Sequence, residues 1–234
     1  MLSVVIPVHN SLPTLKTTIQ SVLDNTKRLK ELIIVDDFSN GVTKDWIGNL
    51  NLDHTLGITL IKASLPKHSW TNKAWNTGVA LASQPYIAVL NSDITLSKDW
   101  DIPLIDALYG YTIACPSLPD CSIAPFMKEI DPRMIQGCAF MFEKEDRDIL
   151  FPIPEELVHW HGDRLLADRA NAMNGVCISS LAIVTHEPSS SAKLLKPFEY
   201  YKTVLEDCYA YEKMTGKDES IVKDIIWENI KNLT

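Results

Sequence analysis

Carboxylates and imidazoles recur in this chain just after apolar runs, a placement that suits metal-assisted chemistry on a phosphorylated substrate. Ile87–Leu90 is an unbroken apolar stretch that delivers Asn91-Ser92-Asp93. Asp93 either caps a turn or holds a divalent cation through oxygen, as Mg2+ and Mn2+ prefer. Glu31–Val35 is a second strand-like run, and it ends in Asp36-Asp37. Paired carboxylates there can accept hydrogen bonds from a nucleobase N–H and ribose hydroxyls, or can simply close the turn through Phe38-Ser39-Asn40-Gly41. His159-Trp160-His161-Gly162-Asp163 is the third cluster. Asp163 can act as a general base on a hydroxyl or cap the helix that follows. The same stretch also supports a zinc site of His159, His161 and Asp163, although no further clustered His or Cys completes it. His186 follows a strand-like run and gains meaning only if the fold carries it to Asp93.

The elements that must position these residues alternate in type over the first 115 or so positions. Leu2–Pro7, Glu31–Val35, Gly57–Ile61, Pro85–Leu90 and Thr112–Cys115 read as strands. Leu12–Leu23, Lys44–Leu50, Thr71–Ala82 and Asp99–Leu108 read as helices, with Thr71 as an N-cap. Strand–helix alternation with continuously apolar strands predicts an α/β fold, a parallel sheet buried by helices on both faces. Ligands bind such sheets beyond the carboxyl ends of the strands. His9-Asn10, Asp36-Asp37 and Asn91-Ser92-Asp93 all fall there. Later, Met134–Phe142 and Ile178–Val184 read as strands, and a helix starts at Asp163. Two more helices are expected at about Lys193–Met214 and Glu219–Asn232.

Composition narrows the class. The 234 residues carry a net charge of −8, which argues against nonspecific nucleic-acid binding. The five cysteines are widely spaced without a C-x-x-C and read as free thiols. No apolar stretch approaches a membrane span. The opening MLSVVIPVHN reads as a strand and not as a signal peptide, so a cytoplasmic protein is expected.

In order, several stretches resemble the family 2 glycosyltransferases. SVVIPVHNSLPTLKTTIQSVL, LKELIIVDDFSNGVT and TNKAWNTGVALASQPYIAVLNSD are similar to that family's nucleotide-binding half. MIQGCAFMFEKE and HWHGDRLLADRANAMNG resemble its acceptor half more loosely. The resemblance implies the GT-A fold, a Rossmann-like, mostly parallel sheet flanked by helices. It spans residues 1–190, with a donor half at 1–115, an acceptor half at 116–190 and a helical extension at 191–234. It further implies transfer of a sugar from a nucleotide-diphosphate sugar, a UDP-sugar by preference, to an acceptor hydroxyl.

Pro7, His9, Asp36, Asp37, Asn72, Asn76, Asn91 and Ser92 would then bind the nucleotide. Asp93 and His186 would hold Mn2+ or Mg2+, and Asp163 would be the base of an inverting displacement. Two departures stand out. Asn91 occupies the first position of the family's D-x-D, and Gly162 stands where an acidic residue is common. A nucleotidyltransferase is the first rival, disfavoured because Val8–Pro13 lacks a glycine-rich phosphate loop. A non-catalytic sugar- or nucleotide-binding module is the second, and a zinc hydrolase the third. The acceptor is left open among a glycan, a lipid-linked sugar, a small molecule and a modified nucleic-acid base. A homodimer is compatible with the C-terminal helices.

Overall fold

The computed structural model describes residues 1–118, 135–186 and 197–232. Cys121, Met134 at the start of one expected strand, and Lys193 at the start of one expected helix lie outside them.

The first 115 residues fold as alternation predicts. Strands β1 (Leu2–Val8), β2 (Leu29–Asp36), β3 (Thr59–Ser64) and β4 (Tyr86–Leu90) run parallel, with β1 between β2 and β4. Residues alternate between faces along each strand. Val4, Ile6, Leu32, Ile34, Ala88 and Leu90 meet helices α1 (Leu12–Asn25), α2 (Gly41–Asn49) and α4 (Asp101–Ala107) on one face. Val5, Ile33, Val35, Ile87 and Val89 meet α3 (Trp70–Leu81) on the other. Gly78 lets α3 lie against β1, because a Cβ there would fall 2.2 Å from Val5 Cγ1.

The sheet then changes direction. β5 (Ile94–Leu96) follows the β4 tip, and β6 (Ile113–Ser117), β7 (Ala139–Glu143) and β8 (Val176–His186) complete the order β3-β2-β1-β4-β7-β6-β8-β5. β7 is antiparallel to both β4 and β6, while β6 and β8 are parallel. β8 is longer than its sequence suggests and serves two partners. Its first residues pair with β6, and its last three pair antiparallel with β5, placing Ile94 opposite His186. The short β5, hidden in the sequence after Asp93, is what brings His186 to the β4 tip.

Helices α5 (Arg147–Leu150), α6 (Gly162–Asn171), α7 (Pro197–Thr215) and α8 (Ser220–Lys231) follow. Tyr211 of α7 is buried in the same cluster as Phe140, Leu166 and Trp75. Val204, Leu205 and Cys208 of α7 pack on Ile226 and Ile230 of α8, with Trp160 at the edge of that cluster. Cys115, Cys177 and Cys208 carry free thiols. No helix among the described residues is long and apolar enough to cross a membrane.

Candidate active site

A cavity of about 330 Å³ opens at the carboxyl edge of β1, β2 and β4. Pro7, Val8 and His9 from β1 and its loop, Asp37 beyond β2, and Asn91, Ser92 and Asp93 beyond β4 line it. His186, Trp70, Thr71, His68, His159, Trp160 and Tyr200 close the remaining walls. Parallel strands stand about 4.8 Å apart. The β2 and β4 tips, separated by β1, are therefore about 10 Å apart across this edge.

One end of the cavity is acidic and imidazole-bearing. Asp93 is 7% exposed, and its Oδ1 lies 3.1 Å from His186 Nε2. The backbone N–H of Asn91 donates to Cys138 O, which ties the β4 tip to the loop ahead of β7. At the other end Asp37 is 3% exposed. Its two oxygens accept the backbone N–H groups of Ser69 and Trp70, at 2.7 and 2.9 Å. These bonds hold the start of α3, where Trp70 sits at φ +66°, a conformation bulky side chains rarely adopt. Asp37 also receives the imidazole of His68, with Nδ1 at 2.7 Å from Oδ2. A run of adjacent rings, His9, His68, Trp70 and His159, lines this wall with centroids 4.1 to 5.1 Å apart.

Asp36 faces away and accepts the N–H of Ser39, closing the turn. Thr71 is not the cap of α3. It lies inside the helix, with its Oγ1 2.9 Å from His159 Nδ1. Asn72 is buried under the cavity wall and donates to the carbonyls of Leu157 and Trp160. Asn76 exchanges two hydrogen bonds with the backbone of Ile153. Neither amide lines the cavity.

Asp163 sits in the first turn of α6, where its Oδ1 accepts the N–H of Arg164. It does not line the cavity either. A Cβ on Gly137 would lie 2.8 Å from Asp163 Oδ2, so the loop ahead of β7 passes directly over the carboxylate. Burial raises its pKa above the usual aspartate value, against the lowering effect of the Arg164 amide and guanidinium. Gly162 has a local cause. A Cβ there would fall 2.2 Å from Asn72 Oδ1, so the side chain the family often carries has no room.

The rival zinc group of His159, His161 and Asp163 does not form among the described residues. His159 turns to Thr71, and His161 packs Nε2 against Cys208 Sγ at 3.2 Å and stacks on Tyr211. Burial depresses both imidazoles to about 4. Neither His159, His161 nor Asp163 belongs to a three-ligand group among the described residues.

The segment that carries these histidines is pinned from α7. Asp207, fully buried, accepts the N–H groups of Val158, His159 and Trp160 at 2.9, 2.8 and 2.6 Å. Trp160 Nε1 donates to Tyr200 Oη, which also lines the cavity. His68, Trp70 and Tyr200 went unnoticed as site residues. His68 lies in the loop after β3 and Trp70 opens α3, on the same sheet edge, and that position was a usable signal. Tyr200 had none, since its helix reaches the cavity only through tertiary packing.

Comparison with known proteins accords with this geometry. Three solved structures share the fold at low identity. A mannosyltransferase from Pyrobaculum calidifontis in complex with GDP-Man and Mn2+ is 12% identical, with a TM-score of 0.68, over 98% of this chain and 68% of that one. S. aureus TarS 1-349 in complex with UDP-GlcNAc is 17% identical, with a TM-score of 0.64, over 99% of this chain and 71% of that one. GalNAc-T7 with UDP, GalNAc and Mn2+ is 17% identical, with a TM-score of 0.63, over 98% and 54%. No curated protein matches the sequence. The family model for glycosyl transferase family 2 matches residues 3–160. With that match and the GT-A fold, the chain belongs to glycosyl transferase family 2 and is an enzyme of that class.

Proposed function

We propose that this enzyme moves a sugar from a nucleotide-diphosphate sugar to an acceptor hydroxyl, with a divalent cation at Asp93 and His186 and with inversion at the anomeric carbon. The observation that carries this reading is the Asp93–His186 pair, 3.1 Å apart, in the same cavity as His9 and Asp37. The separation of about 10 Å between the two strand tips suits a nucleoside at one end and its diphosphate at the other. The similar structures that carry UDP, UDP-GlcNAc or GDP-Man support a donor of this class. UDP is the first base to test.

The residues fit a cation. A carboxylate and an imidazole together form a donor set that suits Mn2+ better than Mg2+, which prefers oxygen alone. When bound, the cation neutralises charge developing on the diphosphate. Asn91 adds an amide without charge and orients a hydroxyl or phosphate oxygen. His9, Pro7 and Asp37 form the nucleoside end, and residues 1–115 serve as the donor half. The half at 116–190 serves the acceptor, and α7 packs on it through Tyr211, in the same cluster as Phe140 and Leu166. Asp163 removes the acceptor proton. Its raised pKa strengthens it as a base.

The test is turnover of UDP- and GDP-sugars with Mn2+ or EDTA, reading release of the nucleoside diphosphate. Asp163→Asn should retain donor binding and lose about 10²- to 10⁴-fold in transfer. Retention of donor configuration in the product, read by NMR, would exclude a single displacement.

A further inference from the structure

We propose a second metal site in the same cavity, formed by His9, Asp37 and His68 and selective for zinc-class ions over Mg2+. One ligand atom from each of the three lies within 4.8 Å of the others. Asp37, beyond β2, and Asp93, beyond β4, stand about 10 Å apart by strand spacing, and Asp93 is not part of this three-ligand group.

Three features favour an ion here. His9 Nδ1 lies 2.7 Å from the carbonyl oxygen of Asp37. Donating its proton there fixes the tautomer and presents Nε2 with a lone pair, the usual support for a ligating imidazole. That lone pair now faces only the Asn10 amide, 2.8 Å away, a contact that a rotation of Asn10 releases. Second, both ring nitrogens of His68 are shielded from solvent without a well-aligned hydrogen bond, despite the short approach to Asp37 Oδ2. Buried polar atoms of that kind call for a partner. Third, the Asp37 carboxylate is anchored by two backbone N–H groups and retains lone pairs for an ion. Opening the 2.7 Å His68–Asp37 contact by well under 1 Å reaches the spacing of about 3.3 Å between ligand atoms of a tetrahedral Zn2+. Two imidazoles and a carboxylate suit Zn2+, Co2+ or Ni2+, with the fourth position open to water. The site occupies the nucleoside end, so an ion there competes with a nucleotide. The assignment of the ion does not rest on the transferase reading.

The test titrates the full chain with Zn2+ alone, by calorimetry and by metal content after dialysis, for wild type, His68→Ala, His9→Ala and Asp93→Ala. Circular dichroism establishes that each variant is folded. We expect one equivalent of zinc in wild type and in Asp93→Ala. His68→Ala and His9→Ala should each weaken binding by about 100-fold or more, beyond the loss seen when only a supporting contact goes. Binding abolished by Asp93→Ala but kept by His68→Ala would place the ion at the other site and overturn the proposal. Wild-type protein that takes up no zinc overturns it as well. A transferase that binds nucleotide but no zinc would leave the proposed function standing and remove only this site.

Discussion

Asp207→Ala tests whether the C-terminal helices build the active-site wall. The carboxylate accepts three backbone N–H groups from the segment that carries His159 and Trp160. Each hydrogen bond to a charged acceptor contributes about 1.5–3 kcal/mol, and three give a gross loss of about 4.5–9 kcal/mol. Two effects reduce it. Burial makes the carboxylate itself unfavourable, as its raised pKa indicates, and the freed segment can recover water at some of its amides. A net loss of about 3–5 kcal/mol remains, the range for removing one partner of a buried charged network. Urea unfolding followed by tryptophan fluorescence measures it. Ile226→Ala serves as control, since it empties a buried position between α7 and α8 and leaves the three Asp207 hydrogen bonds in place. At a temperature where both variants stay folded, Asp207→Ala should weaken nucleotide binding about 10-fold or more, equivalent to about 1.4 kcal/mol, while Ile226→Ala should not. A change in stability below about 0.5 kcal/mol, the level of an ordinary surface substitution, would refute the reasoning.

Three further outcomes follow from the same geometry. Asn76→Ala should cost about 1–3 kcal/mol through the two lost Ile153 bonds and leave nucleotide affinity unchanged, because the amide does not face the cavity. Gly162→Ala should destabilise by about 1–3 kcal/mol, since its Cβ displaces the Asn72 amide; chemical denaturation reads the loss. His161, depressed from 6.5 to about 4, binds its proton in the unfolded chain first. Stability is therefore fully present above pH 6.5 and is lost as pH falls towards 4, by up to about 3 kcal/mol. His159, depressed to about 4 as well, adds its own slope, so His161→Phe, which keeps the stack on Tyr211, should reduce the slope without abolishing it in denaturation curves taken across this range.

Much of the donor half was legible from residues alone, for a physical reason. Strands buried on both faces must be apolar throughout, so Leu2–Val8 and Tyr86–Leu90 stand out, and polar residues after them mark the sheet edge. His9, Asp37 and Asp93 were found by that rule. The rule reports position on the edge and not side-chain direction, so it could not separate Asp37, which faces the cavity, from Asp36, which closes the turn. Helix periodicity likewise placed Asn72 and Asn76 on α3 without revealing that the 153–160 segment claims both amides. β5 was missed because three residues after a polar tip carry too little pattern, and its pairing with β8 is nonlocal. The role of Asp207 was invisible for the same reason: a lone aspartate on a helix gives no sign that three amides from residues 158–160 converge on it.

We propose that Asp93 and His186 form the cation-dependent donor site of this glycosyltransferase. Calorimetric titration of UDP, then GDP, dTDP and CDP, with and without Mn2+, tests it on wild type and Asp93→Ala. One nucleotide should bind wild-type protein with Mn2+, and at least about 10-fold more weakly without it or in Asp93→Ala, a difference of about 1.4 kcal/mol. Binding that ignores both Mn2+ and the loss of Asp93, or no binding of any of the four, would contradict it.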